Sequence, residues 1–348
     1  MRGHRCLIAT LVAFAVSTAG CTGSGATPLP SAPPGATPTL TAGPTTGATV
    51  GATIGPSGTP KGTATAGPTA PPSSSLSGPV VAWGGHCCGQ TTVPSGLAGV
   101  KAIAAGDFHS LALKNDGTVV AWGDNKLGQT TVPAGLTGVV AIATGYNHNL
   151  ALKGDGTVVA WGDNEYGKAS VPAGLTGVVA IAAGYDFSLA LKGDGTVAAW
   201  GNDWSTQVSG STRLSGVTAI AAGGTFGLAL KGNGTVVAWG YPTTGATKVP
   251  GRLAAVAIDA GGGSALALQG DGTVVAWGTV NCGQAMPAGL SGIKAISAGD
   301  NFSLALKGDG TVVAWGCISE GLTPPAGLPG LVAISAGGEH ALAMTAIP

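Results

Sequence analysis

Three histidines stand at one site of a repeated segment. His109, His148 and His340 are each the third residue after a glycine, Gly106, Gly145 and Gly337. Imidazoles gathered at one level of a fold could hold zinc. The other copies carry Phe187, Phe226, Ser264 and Phe302 there, so the site reads as packing beside an axis. Four cysteines of the repeated region, Cys87, Cys88, Cys282 and Cys317, could form disulfides or, as the alternative, hold zinc. Lys-Gly-Asp-Gly-Thr recurs at Lys153, Lys192 and Lys307. Calcium needs six to eight oxygens and each such turn offers one carboxylate, so a hairpin is the better reading. No nucleophile–base pair, phosphate cradle or spaced carboxylate pair appears, which argues against an enzyme and implies no cofactor and no resident metal.

The elements that position these residues follow from a period. Ala-Trp-Gly recurs at Trp83, Trp122, Trp161, Trp200, Trp239, Trp277 and Trp315, at steps of 39 and then 38 residues. Such self-similarity marks equal supersecondary units in a stack or ring. In one copy, Gly99 to Gly123, a β-branched run is followed by Ser110–Lys114, then Asn-Asp-Gly, then Thr118–Trp122. Each run is too short for a helix, and the Asn-Asp-Gly turn is a hairpin signal. We read three antiparallel strands per copy, a, b and c. Seven small sheets around an axis make an all-β, seven-bladed propeller over residues 79–348. The repeated tryptophans are its blade-to-blade core. The first strand, Pro79–Gly84, is a lone strand c, and the last unit, Leu331–Met344, lacks one. The two should pair and close the ring, which removes its open edges.

Arg2 and Arg5, the apolar run Leu7–Val16 and then Ala19-Gly20-Cys21 read as a lipoprotein-type signal peptide over residues 1–20, with Cys21 lipidated. Thr18 departs from that pattern, so plain secretion is the alternative. Residues 21–78, rich in Gly, Thr, Pro, Ala and Ser, cannot form a core and read as a disordered stalk of roughly 40 Å. The expected location is the bacterial cell surface, with the membrane reached only through the lipid. The formal net charge of zero and the absence of a basic stripe exclude a nucleic-acid binder.

Strand direction sorts the loops. The a–b loops and the loops after strand c share one face, and the Gly-Asp-Gly turns, such as that at Asp194, lie on the other. All four tyrosines, Tyr146, Tyr166, Tyr185 and Tyr241, fall in the first set, with Trp204. Aromatic side chains of this kind anchor interfaces. The expected docking sector covers Phe108, Leu127 and these aromatics. Asp124, Asp163, Asp186 and Asp203 would steer a basic or amide-rich partner. Cys317 lies in the blade next to Cys87 and Cys88, so a bridge from Cys317 to one of them is expected.

The phrases AIAAG, LALK, DGTVVAWG and GQTTVP resemble the regulator of chromosome condensation repeat family over residues 79–348. Within it, VVAWG…GQTTVPAGL…GVVAIAAG is most similar to the secreted β-lactamase inhibitory protein II branch. That resemblance implies a noncatalytic protein capping an enzyme's active-site mouth with its loop face. The contact would use Phe108, Tyr146, Tyr185, Tyr166, Trp204 and Tyr241, with Asp124 and Asp163 at the acidic site. It makes a β-lactamase or penicillin-binding protein the expected partner. Gly262-Gly263 and Asp300-Asn301 bring no aromatic side chain. An adhesion module for a wall polymer or another protein is the alternative.

Overall fold

The computed structural model describes residues 79–241, 244–279, 285–318, 321–328 and 330–346. The expected signal peptide and stalk, with Cys21, and also Cys282, lie outside the described residues. No helix among the described residues is long and apolar enough to cross a membrane.

Seven three-stranded antiparallel sheets follow one another. Blade 1 is β2 (Val100–Ala105), β3 (His109–Lys114) and β4 (Val119–Gly123). Blades 2 to 6 repeat it, with middle strands His148–Lys153, Phe187–Lys192, Phe226–Lys231, Ser264–Gln269 and Phe302–Lys307. The seventh joins the two ends. β1 (Val80–Gly84) pairs with β21 (His340–Thr345), which pairs with β20 (Leu331–Ala336). Val80 lies opposite Met344 as Val119 lies opposite Leu113, so the closing strand has the register of an internal hairpin.

The local chemistry explains the strand ends. On the b–c turn of blade 1, Gly117 takes φ +80°, Lys114 N donates to Thr118 O, and Asp116 Oδ1 accepts from Thr118 N at 3.0 Å and from its hydroxyl at 2.6 Å. The same carboxylate–threonine arrangement recurs at Asp155, Asp194, Asp271 and Asp309. These carboxylates are hairpin groups, as the sequence suggests. They are held below the ordinary carboxylate range, chiefly by their threonine hydrogen bonds.

The core lies between blades. Leu111 and Leu113 of blade 1 pack with Val139, Ile142, Ala151 and Trp161 of blade 2. Repeated tryptophans also act as latches. Trp122 Nε1 donates to Gln90 O, Trp161 to Gln129 O, Trp200 to Lys168 O and Trp239 to Gln207 O, at 2.8–3.1 Å. Trp83 does the same to Leu322 O across the closing blade. The indole thus buries its area while its one donor is satisfied. Along the axis, Gly261 has no room for a side chain. A Cβ there would overlap the carbonyl of Gly299 in the next blade. This explains the glycine that closes each strand a. Backbone links cross this inner rim, including Tyr146 N to Gly184 O, Tyr185 N to Gly224 O and Gly338 N to Gly106 O.

Candidate functional site

The loop face is built from two tiers. The a–b loops ring the axis, and the loops after strand c lie outside them. An outer loop is held by its own residues. Leu127 N donates to Gln129 Oε1 at 2.8 Å, and Ser205 N to Gln207 Oε1 at 2.8 Å in blade 3. A glutamine folded back under the tip in this way pushes the intervening side chains outward.

In the outer tier those side chains are large and apolar. Trp204 is 81% exposed, and Tyr166, at 42%, meets it edge-on from the neighbouring blade with ring centroids 5.0 Å apart. Tyr166 takes φ +62°, a conformation uncommon for a non-glycine residue, at the tip of a short 3-10 turn, Glu165–Gly167. Leu127 and Tyr241 are also exposed. The structure therefore brings the expected residues of four consecutive blades to one face.

The inner tier behaves differently. Tyr146 and Tyr185 pack together at 5.1 Å over the mouth of the axis. Tyr185 is half-buried. A Cβ at Gly224 would meet its ring, and one at Gly262 would meet its hydroxyl at 2.5 Å. The missing side chains of Gly224 and Gly262 make the space that Tyr185 fills. Phe108 is likewise half-buried. Asp107 interacts with Tyr146 and Asp300 with Tyr185, each phenol favouring the ionised carboxyl. Burial pushes Asp107 up to about 7, with Asp300 adding repulsion, and burial pushes Asp300 up to about 6. Burial also raises Tyr146 to about 12. The rim is thus a tyrosine–carboxyl cluster in which burial favours the protonated carboxyls.

The steering carboxylates are mostly committed to partners within the ring. Lys168 is only 2% exposed, and its Nζ lies 2.7 Å from Asp163 and 2.6 Å from Asp186. Its burial disfavours the charge, but the two carboxylates outweigh that and raise it above its ordinary value. Asp163 is held below its ordinary value by Lys168 and by Glu165 N, against its own desolvation. Asp203 accepts from Val208 N and Ser209 N, both at 2.9 Å, and shapes its loop. Asp124 accepts from Gln129 Nε2 at 3.2 Å, with Lys126 at 3.8 Å. The free acidic surface expected at these four positions is therefore small. Lys168 was missed by the sequence reading. Its signal is Gly167-Lys168 standing where other copies have Gly-Gln.

The histidines pack, as their exchange with phenylalanine indicates. His109 and His148 are fully buried and held neutral by burial, at about 4 and 3. His109 Nε2 lies 2.7 Å from Asn149 Oδ1, and His340 Nε2 lies 2.8 Å from Ser110 Oγ. Each joins one blade to the next. Among the described residues no three acidic, cysteine or histidine side chains gather as a metal site. The expected Cys317 bridge to Cys87 or Cys88 is overturned. Cys87 and Cys88 are free thiols, and Cys317 is disulfide-bonded to neither. Cys87 and Cys88 stand in the loop after β1, Cys87 exposed and Cys88 half-buried, and Gln90 Oε1 accepts from Cys88 N at 3.0 Å.

Five segments, residues 100–129, 139–168, 178–203, 217–245 and 293–321, match the regulator of chromosome condensation (RCC1) repeat. The structure is similar to Prp20p from Saccharomyces cerevisiae, with a TM-score of 0.67 and 18% identity over 79% of this chain and 93% of that one. That protein is described together with its binding to Gsp1p and histones. Human WBSCR16 gives a TM-score of 0.60 at 18% identity, over 77% of this chain and 99% of that one. The ectodomain of the Physcomitrella patens receptor kinase CR4 gives 0.59 at 25% identity, over 68% of each. No curated protein matches the chain in sequence. The chain therefore carries RCC1 repeats on a propeller, while the likeness to these structures is one of fold.

Proposed function

We propose that this chain is a noncatalytic binding propeller that docks a protein partner on its loop face, off-centre over blades 1 to 4. The Tyr166–Trp204 pair carries the proposal. An indole that is 81% exposed, braced edge-on by a tyrosine, gives no stability to the ring and presents rigid apolar area to a partner. The neighbouring Tyr241 and Leu127 extend the patch. The partner surface facing it is apolar at its centre. Basic groups on the axial side would meet Asp107, Asp300 and Glu339, whose charges repel one another. Propeller neighbours take protein partners too, as with the yeast protein bound to Kap60.

The finer reading is capping of a β-lactamase or penicillin-binding enzyme, supported by the resemblance of the short repeat. Recognition of a wall polymer is the second reading, favoured by the open indole face, which suits stacking on a sugar ring. The proposal includes export and lipid anchoring at Cys21. It is supported by the basic start, the Leu7–Val16 run and Ala19-Gly20-Cys21. The disulfide at Cys317 fits an oxidising compartment.

Affinity capture with the full chain, read by mass spectrometry beside a glycan array and a panel of β-lactamases, tests the proposal. Trp204→Ala should weaken the captured complex by about 2 kcal/mol or more, while Asp194→Ala on the opposite face should leave it unchanged. The opposite pattern sinks the assignment of the face.

A further inference from the structure

We propose that Cys87 and Cys88 form a redox site, a vicinal dithiol that closes reversibly to a disulfide between adjacent residues when it meets a low-molecular-weight disulfide. The site lies outside the aromatic sector and does not depend on it. Its sulfurs are 3.1 Å apart, inside van der Waals contact, and Cys87 is exposed to reagents.

The repeat supplies its own control. The loop Gly85-His86-Cys87-Cys88-Gly89-Gln90 occupies the same place as Asp124-Asn125-Lys126-Leu127-Gly128-Gln129. In both, the glutamine Oε1 accepts the backbone N–H two residues before it, at 3.0 Å to Cys88 and 2.8 Å to Leu127. In both, the glutamine carbonyl anchors the next blade's tryptophan, at 2.8 Å to Trp122 and 3.1 Å to Trp161. The turn therefore forms without sulfur. The thiols are not needed to build this loop. They replace the two tip side chains that elsewhere point outward, on a base fixed by Gln90, which is itself fully buried. Gln90 Nε2 also reaches Cys87 Sγ at 3.8 Å.

The chemistry follows from covalent adjacency. Neighbouring Cα atoms stand about 3.8 Å apart, closer than ordinary disulfides prefer. A bridge between adjacent residues is therefore strained and easily reduced, and such bridges belong to the labile class. The hydrogen bond between the sulfurs, with some desolvation, pushes the Cys88 thiol up to about 11. Cys87, the more exposed of the two, makes the first attack. Its thiolate displaces one thiolate from the reagent RSSR and forms Cys87–S–S–R. Cys88 then gives up its proton to solvent and attacks the Cys87 sulfur, expelling the second thiolate. The reagent's two sulfurs take up the two electrons and leave as two thiols. The protein loses two hydrogens and keeps no adduct.

The test treats the gently reduced full chain with 5,5′-dithiobis(2-nitrobenzoate) and maps the peptide containing residues 85–90 by mass spectrometry. The expected peptide is lighter by two hydrogens and free of adduct, and dithiothreitol restores it. The Cys88→Ser variant should instead keep a mixed disulfide on Cys87. Two adducts on the wild-type peptide, a single persistent adduct, or a disulfide-linked dimer through this loop overturns the proposal.

Discussion

His148 Nε2 sits 2.9 Å from Ser188 Oγ in the next blade, and the serine hydroxyl in turn donates to Lys168 O at 2.8 Å. The same relationship joins His109 to Asn149 and His340 to Ser110. The chain's own copies show how the pair is exchanged. Where the first residue is Phe187, Phe226 or Phe302, the residue at the partner position in the next blade is Gly227, Ala265 or Ala341. A polar ring comes with a polar partner, and an apolar ring with a small apolar one.

This pairing predicts an acid response. Burial holds His148 at about 3 in the folded ring, below the ordinary imidazole value of about 6.5. Between those values the unfolded chain binds the extra proton, so stability falls as pH drops from about 6.5. At pH 5 the loss is about 2 kcal/mol for each such histidine. His148→Phe with Ser188→Ala, the combination used elsewhere in the ring, should fold and lose less stability between pH 7 and pH 5. Chemical denaturation at both pH values measures this. An acid loss equal to that of the wild type refutes it.

Asp259 should act with the opposite sign. It takes the place of a small residue in strand a of blade 5, accepting from Ala260 N at 2.9 Å and, across the blade junction, from Ala298 N at 2.8 Å. Burial raises it to about 6 despite those bonds. Here the folded state binds the proton more tightly, so the wild type gains stability as pH falls through 6 toward 4. Relative to Asp259→Asn, that gain should reach about 1 kcal/mol between pH 7 and pH 5. A difference independent of pH would show that Asp259 keeps an ordinary carboxyl.

Lys168 holds two carboxylates, and its replacements should separate charge from packing. Lys168→Met leaves Asp163 and Asp186 unpaired and should cost about 2 kcal/mol, discounted for the partial exposure of Asp186. Lys168→Gln, the residue of sibling loops, should cost less. Its backbone carbonyl still receives Trp200 Nε1. Equal losses for the two variants, read from thermal melts at low salt, would mean that the ion pairs contribute nothing.

Thr206 takes φ +61° at the loop position filled by Gly128 and Gly167, whose φ values are +79° and +77°. A β-branched side chain in that region is strained. Thr206→Gly should stabilise the ring by about 1 kcal/mol. A lowered melting temperature would place the strain elsewhere.

Much of this architecture is legible in the sequence because a period reports topology directly. The tryptophan spacing fixes the blade length, and the unmatched strands at Pro79–Gly84 and Leu331–Met344 imply the closing pair. The loop face is legible from strand direction alone, as Trp204 and Tyr166 illustrate. What stays hidden depends on which loops touch. Asp163 and Asp186 look like free charges until the outer loop of blade 2 is seen to place Lys168 against the inner loop of blade 3. Gly262 looks like a gap until Tyr185 is seen to fill it from two blades away. The cysteine pairing failed for the same reason, since adjacency of blades does not fix the reach of a loop.

The seam has a consequence for chain order. Thr345 N donates to Pro79 O at 3.2 Å, as Lys114 N donates to Thr118 O at 2.9 Å on the turn of blade 1. The two ends of the seam therefore sit as the two sides of a b–c hairpin whose tip is missing. A Gly-Asp-Gly insert would bridge them covalently, and the chain could then be cut at any other such tip on the same face. A permuted chain of this kind keeps every strand pair and every tryptophan latch. The ring has no privileged first blade, so the order in which blades are made is separable from the order in which they stand.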